Sequence, residues 1–323
     1  MTELQHVAFL DTVHEVLWER LSAAGMECVH AEGTSREEVL TGALALCSGV
    51  VLRSRLTLDA ELFDAMPNLK WIARSGAGLE NIDLHAAEAR SIQVYSSPEG
   101  NATAVGEHAV GQLLMLLHKL AAADRHVREG GWDREGHRGV ELEARTVGII
   151  GFGNMGRSFA QRLTGFGCRV LAYDKYVSGF DGEFGVEEAS LDAVRAAADV
   201  VSLHIPLTEE TKGMVNRDWI AGFGHPFFLL NTARGEVVQT EAVLDALDGG
   251  KLRGAALDVL EFEKRSLEGL ADRPVALERL LAHPLAVLWW PRVQRTQRVA
   301  VAAKRQSHAA HQRAIAPDDE FHA

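Results

Sequence analysis

The sequence predicts an α/β protein made of two doubly wound parallel-sheet units, one inserted in the other. Three observations predict it. Strand and helix patterns alternate regularly through residues 1–99. Gly151, Gly153 and Gly156 form a G-x-G-x-x-G run between a strand pattern and a helical one, and a second alternating region follows. The chain has 323 residues, 47% of them hydrophobic, which is enough apolar material for two cores.

In the first region the strand candidates are 6–10, 27–30, 49–53, 69–74 and 91–95, with helices near 12–24, 35–46 and 58–65. Such alternation implies parallel strands covered by helices on both faces. Residues 96–101 are punctuation, and Asn101 is the expected N-cap of a long helix near 105–123. Glu107, His108, His118 and Lys119 interrupt the apolar character of that helix, so it reads as buried and not as a membrane span. A polar, glycine-rich loop occupies 129–139. The second unit runs from about 145 to 288, with later strands at 168–173, 199–205, 227–231 and 253–259.

The glycine run has a specific chemistry. Gly151 permits a tight turn, Gly153 lets a pyrophosphate approach the backbone, and Gly156 lets helix and strand pack closely. Phe152, Asn154 and Met155 complete the turn, where the helix N-terminus offers N–H groups and a positive dipole end. Asp174 ends the next strand, 18 residues past Gly156, and is placed to accept hydrogen bonds from the ribose hydroxyls of an adenosine. Strand, turn, helix, second strand and acid fall in the order of a dinucleotide site.

Charge and cysteine content exclude other classes. A net charge of −12 argues against a nucleic-acid or anionic-membrane binder. Cys28, Cys47 and Cys168 show no metal or redox spacing and read as buried thiols, so neither disulfides nor a metal site is expected. The N-terminal pattern has no basic region or cleavage-like site, and the expectation is a cytoplasmic protein.

Ligands of such sheets bind beyond the carboxyl ends of the strands. The segments there resemble the D-isomer-specific 2-hydroxyacid dehydrogenases. They are the glycine run with Asp174, VSLHIPLTEET from Val201, LNTARG from Leu230, and GAALDVLEFE from Gly254. Upstream, RSGAGLENID from Arg74 matches the family's first-domain loop, and the resemblance covers roughly 5–288. It implies a flavodoxin-like substrate domain, residues 1–99 plus about 291–323, with a Rossmann-like NAD-binding domain at 100–290. The implied activity is reversible hydride transfer between NAD(H) and a small 2-oxo or 2-hydroxy acid, in a homodimer formed through the cofactor domain.

By motif position Arg234 is the arginine that clamps the substrate carboxylate, and Glu263 is the glutamate that holds a catalytic histidine. A guanidinium fork suits a planar carboxylate beside a carbonyl that gains negative charge. The resemblance gives cofactor contacts to Val105, His204, Pro206, Thr211, Thr232, Ala233 and Asp258. His204 belongs to the cofactor-contacting turn and is not the expected proton carrier. Backbone N–H groups of Ser75, Gly76, Ala77 and Gly78 are candidates to meet the substrate carboxylate. The segment from Val50 to Arg55 is similar to that of the phosphoglycerate dehydrogenase branch. There a strand-end arginine meets a phosphate, a role open to Arg53 or Arg55. Glyoxylate and hydroxypyruvate are competing substrates.

One departure stands out. The family has Pro-His and a small-residue turn after the last strand, whereas this chain reads Trp289-Trp290-Pro291-Arg292, with arginine in the histidine's place. Residues 289–323 carry a net charge of +3, which leaves −15 for the rest, so the tail differs in composition from the body. His283 lies before the last apolar segment, at its wrong end for the missing role. Slow turnover is therefore expected. The alternatives are a catalytically inactive NAD(H)-binding sensor or corepressor-like protein, and a formate or phosphite dehydrogenase-like enzyme.

Overall fold

The computed structural model describes residues 5–262 and 274–288. These fall into two compact units, one up to Asn101 and one from Ala102.

The first unit alternates strictly. Its elements are β1 (His6–Phe9), α1 (Glu15–Ala23), β2 (Glu27–His30), α2 (Arg36–Leu40), β3 (Cys47–Leu52), α3 (Ala60–Asp64), β4 (Trp71–Arg74), α4 (Leu84–Ala89) and β5 (Gln93–Ser96). The strands form a parallel sheet in the order β2-β1-β3-β4-β5. Successive side chains go to opposite faces. Ala8, Leu10, Val50, Leu52 and Ile72 pack with Leu62 and Phe63 of α3. Val7, Phe9 and Val51 pack with Leu17 and Trp18 of α1. Each helix N-terminus is closed by a side chain, His14 for α1, Ser35 for α2, Asp59 for α3 and Asp83 for α4.

Helix α5 (Glu99–Leu117) leads into the second unit. There follow α6 (Leu120–Arg128), β6 (Thr146–Ile150), α7 (Asn154–Leu163), β7 (Arg169–Tyr173), β8 (Val186–Glu188), α8 (Leu191–Ala197), β9 (Val200–Leu203), α9 (Arg217–Ala221), β10 (Phe227–Asn231), α10 (Thr240–Asp248), β11 (Leu252–Leu257), α11 (Val275–Ala282) and β12 (Ala286–Leu288). All pairings in its sheet are parallel, in the order β12-β11-β10-β9-β6-β7-β8. Both faces are buried. Phe227 and Leu229 join Trp219, Val243 and Leu280 on one side. Phe228 and Leu230 join Leu113, Leu116 and Phe159 on the other. The chain moves out through β7 and β8, then returns to β9 beside β6, which makes the carboxyl end of β6 the switch point.

Three local expectations are corrected. Asn101 does not cap α5, because the helix already starts at Glu99. Its Oδ1 is buried and accepts no hydrogen bond among the described residues. The long helix is two helices, since Lys119 takes a left-handed φ of 51° between them. The buried face of α5 ends at Leu117, and α6 has no buried residue, so nothing apolar holds the axis straight. The helix expected at 35–46 stops at Leu40, with Gly42 at φ 97° turning the chain. Strand β8 is an addition to the expected elements. No helix among the described residues is long and apolar enough to cross a membrane.

Candidate functional site

The glycine run forms the turn between β6 and α7. Gly151 has φ +93°, and a Cβ there would lie 2.5 Å from the carbonyl oxygen of His204. A Cβ on Gly156 would lie 2.1 Å from the Gly151 oxygen, so helix and turn touch backbone to backbone. Gly153 is the N-cap of α7, gives it no side-chain cap, and has open space where a Cβ would be. The first-turn N–H groups at Asn154, Met155 and Gly156 are thus presented to a ligand. Behind the turn, Gly106 of α5 allows contact with Ser158 of α7, whose hydroxyl donates to the Ala102 carbonyl.

Asp174 follows β7 and organises the adjoining loop. Its Oδ2 accepts the Phe152 N–H at 2.7 Å, and its Oδ1 accepts from Tyr176 and Val177 at 2.8 and 2.9 Å. A carboxylate has about four lone-pair positions, so acceptor capacity remains for a hydroxyl. The neighbouring Lys175 is bonded to both oxygens of Glu210.

Strands β9 and β10 present two buried polar atoms without hydrogen-bond partners among the described residues, His204 Nδ1 and Thr232 Oγ1. His204 Nε2 meets Ser202 Oγ at 2.8 Å. Burial pushes the imidazole down to about 3, so it is neutral at pH 7, although the residue as a whole retains some exposed surface. Pro206 and Thr211 lie on the same loop, tied by a 2.7 Å bond from the Thr211 hydroxyl to the Pro206 carbonyl.

The loop after β10 is shaped by Asn231, which accepts from Ala233 N–H and donates to the Arg234 carbonyl. A Cβ on Gly235 would strike the Leu260 oxygen at 1.9 Å, so Arg234 is presented from a fixed turn. Its Nη1 donates to the Ala233 carbonyl at 2.8 Å. Asp258 follows β11, and its Oδ1 lies 3.0 Å from His108 Nε2 on α5, in the same helix as Val105. Gln112, one turn on, also reaches that nitrogen at 3.0 Å.

These residues fit a dinucleotide. An open helix N-terminus, an acid at the end of β7 and two unsatisfied polar atoms all stand at the carboxyl edge of one sheet. Among the described residues no group of three or more His, Cys, Asp and Glu could hold a metal ion.

The first unit's carboxyl edge carries Arg53 after β3 and the turn after β4. The N–H groups of Ser75 and Gly76 are taken by Leu52 and Arg74 carbonyls at 2.8 and 2.9 Å. That corrects the expectation for those two, because Ser75 continues the pairing of β4 with β3 and Gly76 closes a tight turn on Arg74 of its own strand. Ala77 and Gly78 donate to no backbone carbonyl among the described residues. Arg55 is committed elsewhere, to the carbonyls of Leu10 and Thr34 at 3.0 and 2.6 Å. It holds the fold, which leaves Arg53 as the phosphate candidate.

Glu263 and Arg292 lie outside the described residues. Glu261, in the same charged run, caps α10 through the Thr240 N–H at 2.7 Å. Sequence reasoning did not find Gln112, Ser202 or the Lys175–Glu210 pair. Only Gln112 left a local sign, its four-residue spacing from His108 on one helix face.

A family model described as D-isomer specific 2-hydroxyacid dehydrogenase, NAD binding domain, matches residues 110–288. The chain is 40% identical over 233 residues to D-3-phosphoglycerate dehydrogenase of Mycobacterium tuberculosis, covering 72% of this chain and 44% of that protein. It thus spans about half the length of such curated relatives. It is 37% identical over 235 residues to hydroxypyruvate reductase of Thermotoga maritima, covering 73% of this chain and 76% of the relative. Among solved structures, D-lactate dehydrogenase from Aquifex aeolicus complexed with NAD and lactic acid superposes with a TM-score of 0.75 at 25% identity, covering 95% of this chain and 96% of that one. The second unit carries the NAD-binding domain, and the chain belongs to the D-isomer specific 2-hydroxyacid dehydrogenase family.

Proposed function

We propose that the chain is an NAD-dependent oxidoreductase that interconverts a small 2-hydroxy acid and its 2-oxo acid. The observation that carries this reading is a shared edge. The open N-terminus of α7 stands at the carboxyl end of β6, and Thr232 and Arg234 at that of β10, on either side of β9 in one parallel sheet. Bound NAD(H) supplies the hydride acceptor or donor. The chain's own groups do the rest. The α7 N–H groups hold the pyrophosphate, Asp174 takes the ribose hydroxyls, and Thr232 and His204 satisfy their buried atoms on the cofactor. Arg234 clamps the carboxylate and draws electron density from the carbonyl oxygen. In the first unit, Arg53 and the N–H groups of Ala77 and Gly78 are the candidate anion ligands, and phosphohydroxypyruvate with 3-phosphoglycerate is the pair that Arg53 favours.

This reading assigns residues 1–99 with about 291–323 to substrate binding and 100–290 to the cofactor. A homodimer in the cytoplasm completes it. Helix α6 supports the dimer, because Leu120 and Val127 stand 51% and 54% exposed on a helix with no buried residue. A second reading, NAD(H) binding without turnover, is favoured by Arg292 in the place of the histidine. A positioned acid/base contributes about 10²–10⁴-fold, and arginine keeps its proton at neutral pH. NADH oxidation with a panel of 2-oxo acids, run beside an NADH-binding titration, separates the two. Turnover supports the dehydrogenase, and tight binding without turnover supports the sensor. Oxidation of formate or phosphite alone contradicts both.

A further inference from the structure

Two cations and three carboxylates crowd the carboxyl end of β7, and their pairing bears on cofactor choice. Strands β7 and β9 flank β6 on opposite sides. Lys175 follows β7 and Glu210 follows β9. Their ion pair, with Nζ 2.6 Å from Glu210 Oε2, therefore runs across the carboxyl end of β6, where the glycine turn lies. The second cation, Arg157 of α7, is equally engaged. Its Nε donates to Glu183 at 2.9 Å, its Nη1 donates to the Phe152 carbonyl, and the guanidinium lies 4.9 Å from the Phe152 ring centre. The third carboxylate, Asp174, holds the Phe152 N–H. Both cations beside the ribose acid are thus matched with carboxylates.

We propose that Glu210 is a specificity-determining residue of the cofactor site. By holding Lys175 it denies a 2′-phosphate the ammonium next to Asp174, and so favours NAD(H) over NADP(H). The inference rests on the reading of the second unit as the cofactor-binding unit. A phosphate monoester carries a charge of about −1.5 to −2 at neutral pH and needs a cation at this position. Asp174 alone repels it. With Lys175 neutralised, Asp174, Lys175 and Glu210 together present a net negative charge to the 2′ position. The hydrogen bond to Glu210 also holds the Lys175 ammonium above the usual lysine range, so the pair is intact throughout the neutral range. Arg157 is no substitute, because Glu183 and Phe152 already fix it.

Equilibrium binding of NADPH and NADH to the full chain tests this, at fixed ionic strength, by nicotinamide fluorescence. Glu210→Gln should lower the ratio of the NADPH to the NADH dissociation constant by about fivefold, the size expected when an exposed ion pair is released. Lys175→Gln in the Glu210→Gln background should restore the parent ratio. An unmoved ratio in Glu210→Gln overturns the inference, and so does a gain that persists without Lys175. NADH binding by the parent keeps these outcomes separate from the cofactor reading. A parent that binds neither nucleotide overturns both.

Discussion

The two sheets follow the same topological rule but finish their helices differently. In the first unit every helix that follows a strand is closed by its own sequence, as Ser35 and Glu38 do reciprocally on α2. In the second unit α7 starts at Gly153 and is left without a side-chain cap. Other helices of that unit vary: α8 is closed by Ser190 and α9 by Asn216, whereas Lys119 before α6, Gln239 before α10 and Pro274 before α11 give no side-chain cap. What sets α7 apart is its place at the switch point and the glycine before it, with open space where a Cβ would be. Unsatisfied backbone donors cost stability in the free chain and gain it back on a bound anion. A missing cap points to an anion only where, as at α7, the helix opens at the switch point of the sheet.

The largest effect should come from the arginine at that edge. Arg234→Lys keeps the charge but loses the two-pronged contact, and charged hydrogen bonds of this kind are worth about 10- to 100-fold each. Oxamate, a 2-oxo acid mimic, should bind the variant about 100-fold more weakly while NADH affinity stays near the parent value. Equal oxamate affinity would remove Arg234 from the substrate clamp. Next comes a direct conversion of α7 into a helix of the first unit's kind. Gly153→Ser supplies a cap, so thermal stability should hold or rise, while NADH binding weakens by about tenfold or more. A variant that loses both together would show that the glycine serves packing alone.

A smaller effect separates the buried histidine from the surface ones. His204 stays neutral in the folded chain down to about pH 3, whereas its ordinary value is 6.5. The unfolded chain therefore binds the extra proton as pH falls below about 6.5, and stability is lost in that direction. Its slope is at most about 1.4 kcal/mol per pH unit, reduced by whatever solvent reaches the ring. Urea denaturation at pH 7 and pH 5.5 should show a shallower loss for His204→Gln than for the parent. An identical slope would mean that the ring protonates freely when folded. The smallest effect is expected at the first unit's edge. Arg53→Ala should weaken inhibition by phosphohydroxypyruvate several-fold and leave pyruvate unchanged; equal response to both would return Arg53 to ordinary surface charge.

Much of this was readable from local pattern. The glycine turn, Asp174 and the strand β10 are short-range features, and the structure has them where spacing puts them. What escaped were long-range commitments. Lys175 and Glu210 are 35 residues apart, and His108 and Asp258 are 150 apart, so no window of sequence pairs them. Arg55 looked as suited to a phosphate as Arg53. Only the fold reveals that its guanidinium is used on the carbonyls of Leu10, Ala31 and Thr34. The break at Lys119 was hidden for the same reason. Its helix stops where the neighbouring core stops, and that boundary is set by the sheet and not by the residues of the helix.

On the proposed reading, the open end of α7 receives the pyrophosphate of NAD(H). Amide hydrogen exchange at residues 152–157, with and without saturating NADH, tests it most directly. First-turn N–H groups without partners exchange readily in the free chain. NADH should slow exchange at Asn154, Met155 and Gly156 while the capped first turns of α2 and α3 stay unchanged. Saturable NADH binding that leaves those three amides as exposed as before would place the cofactor elsewhere and contradict the account.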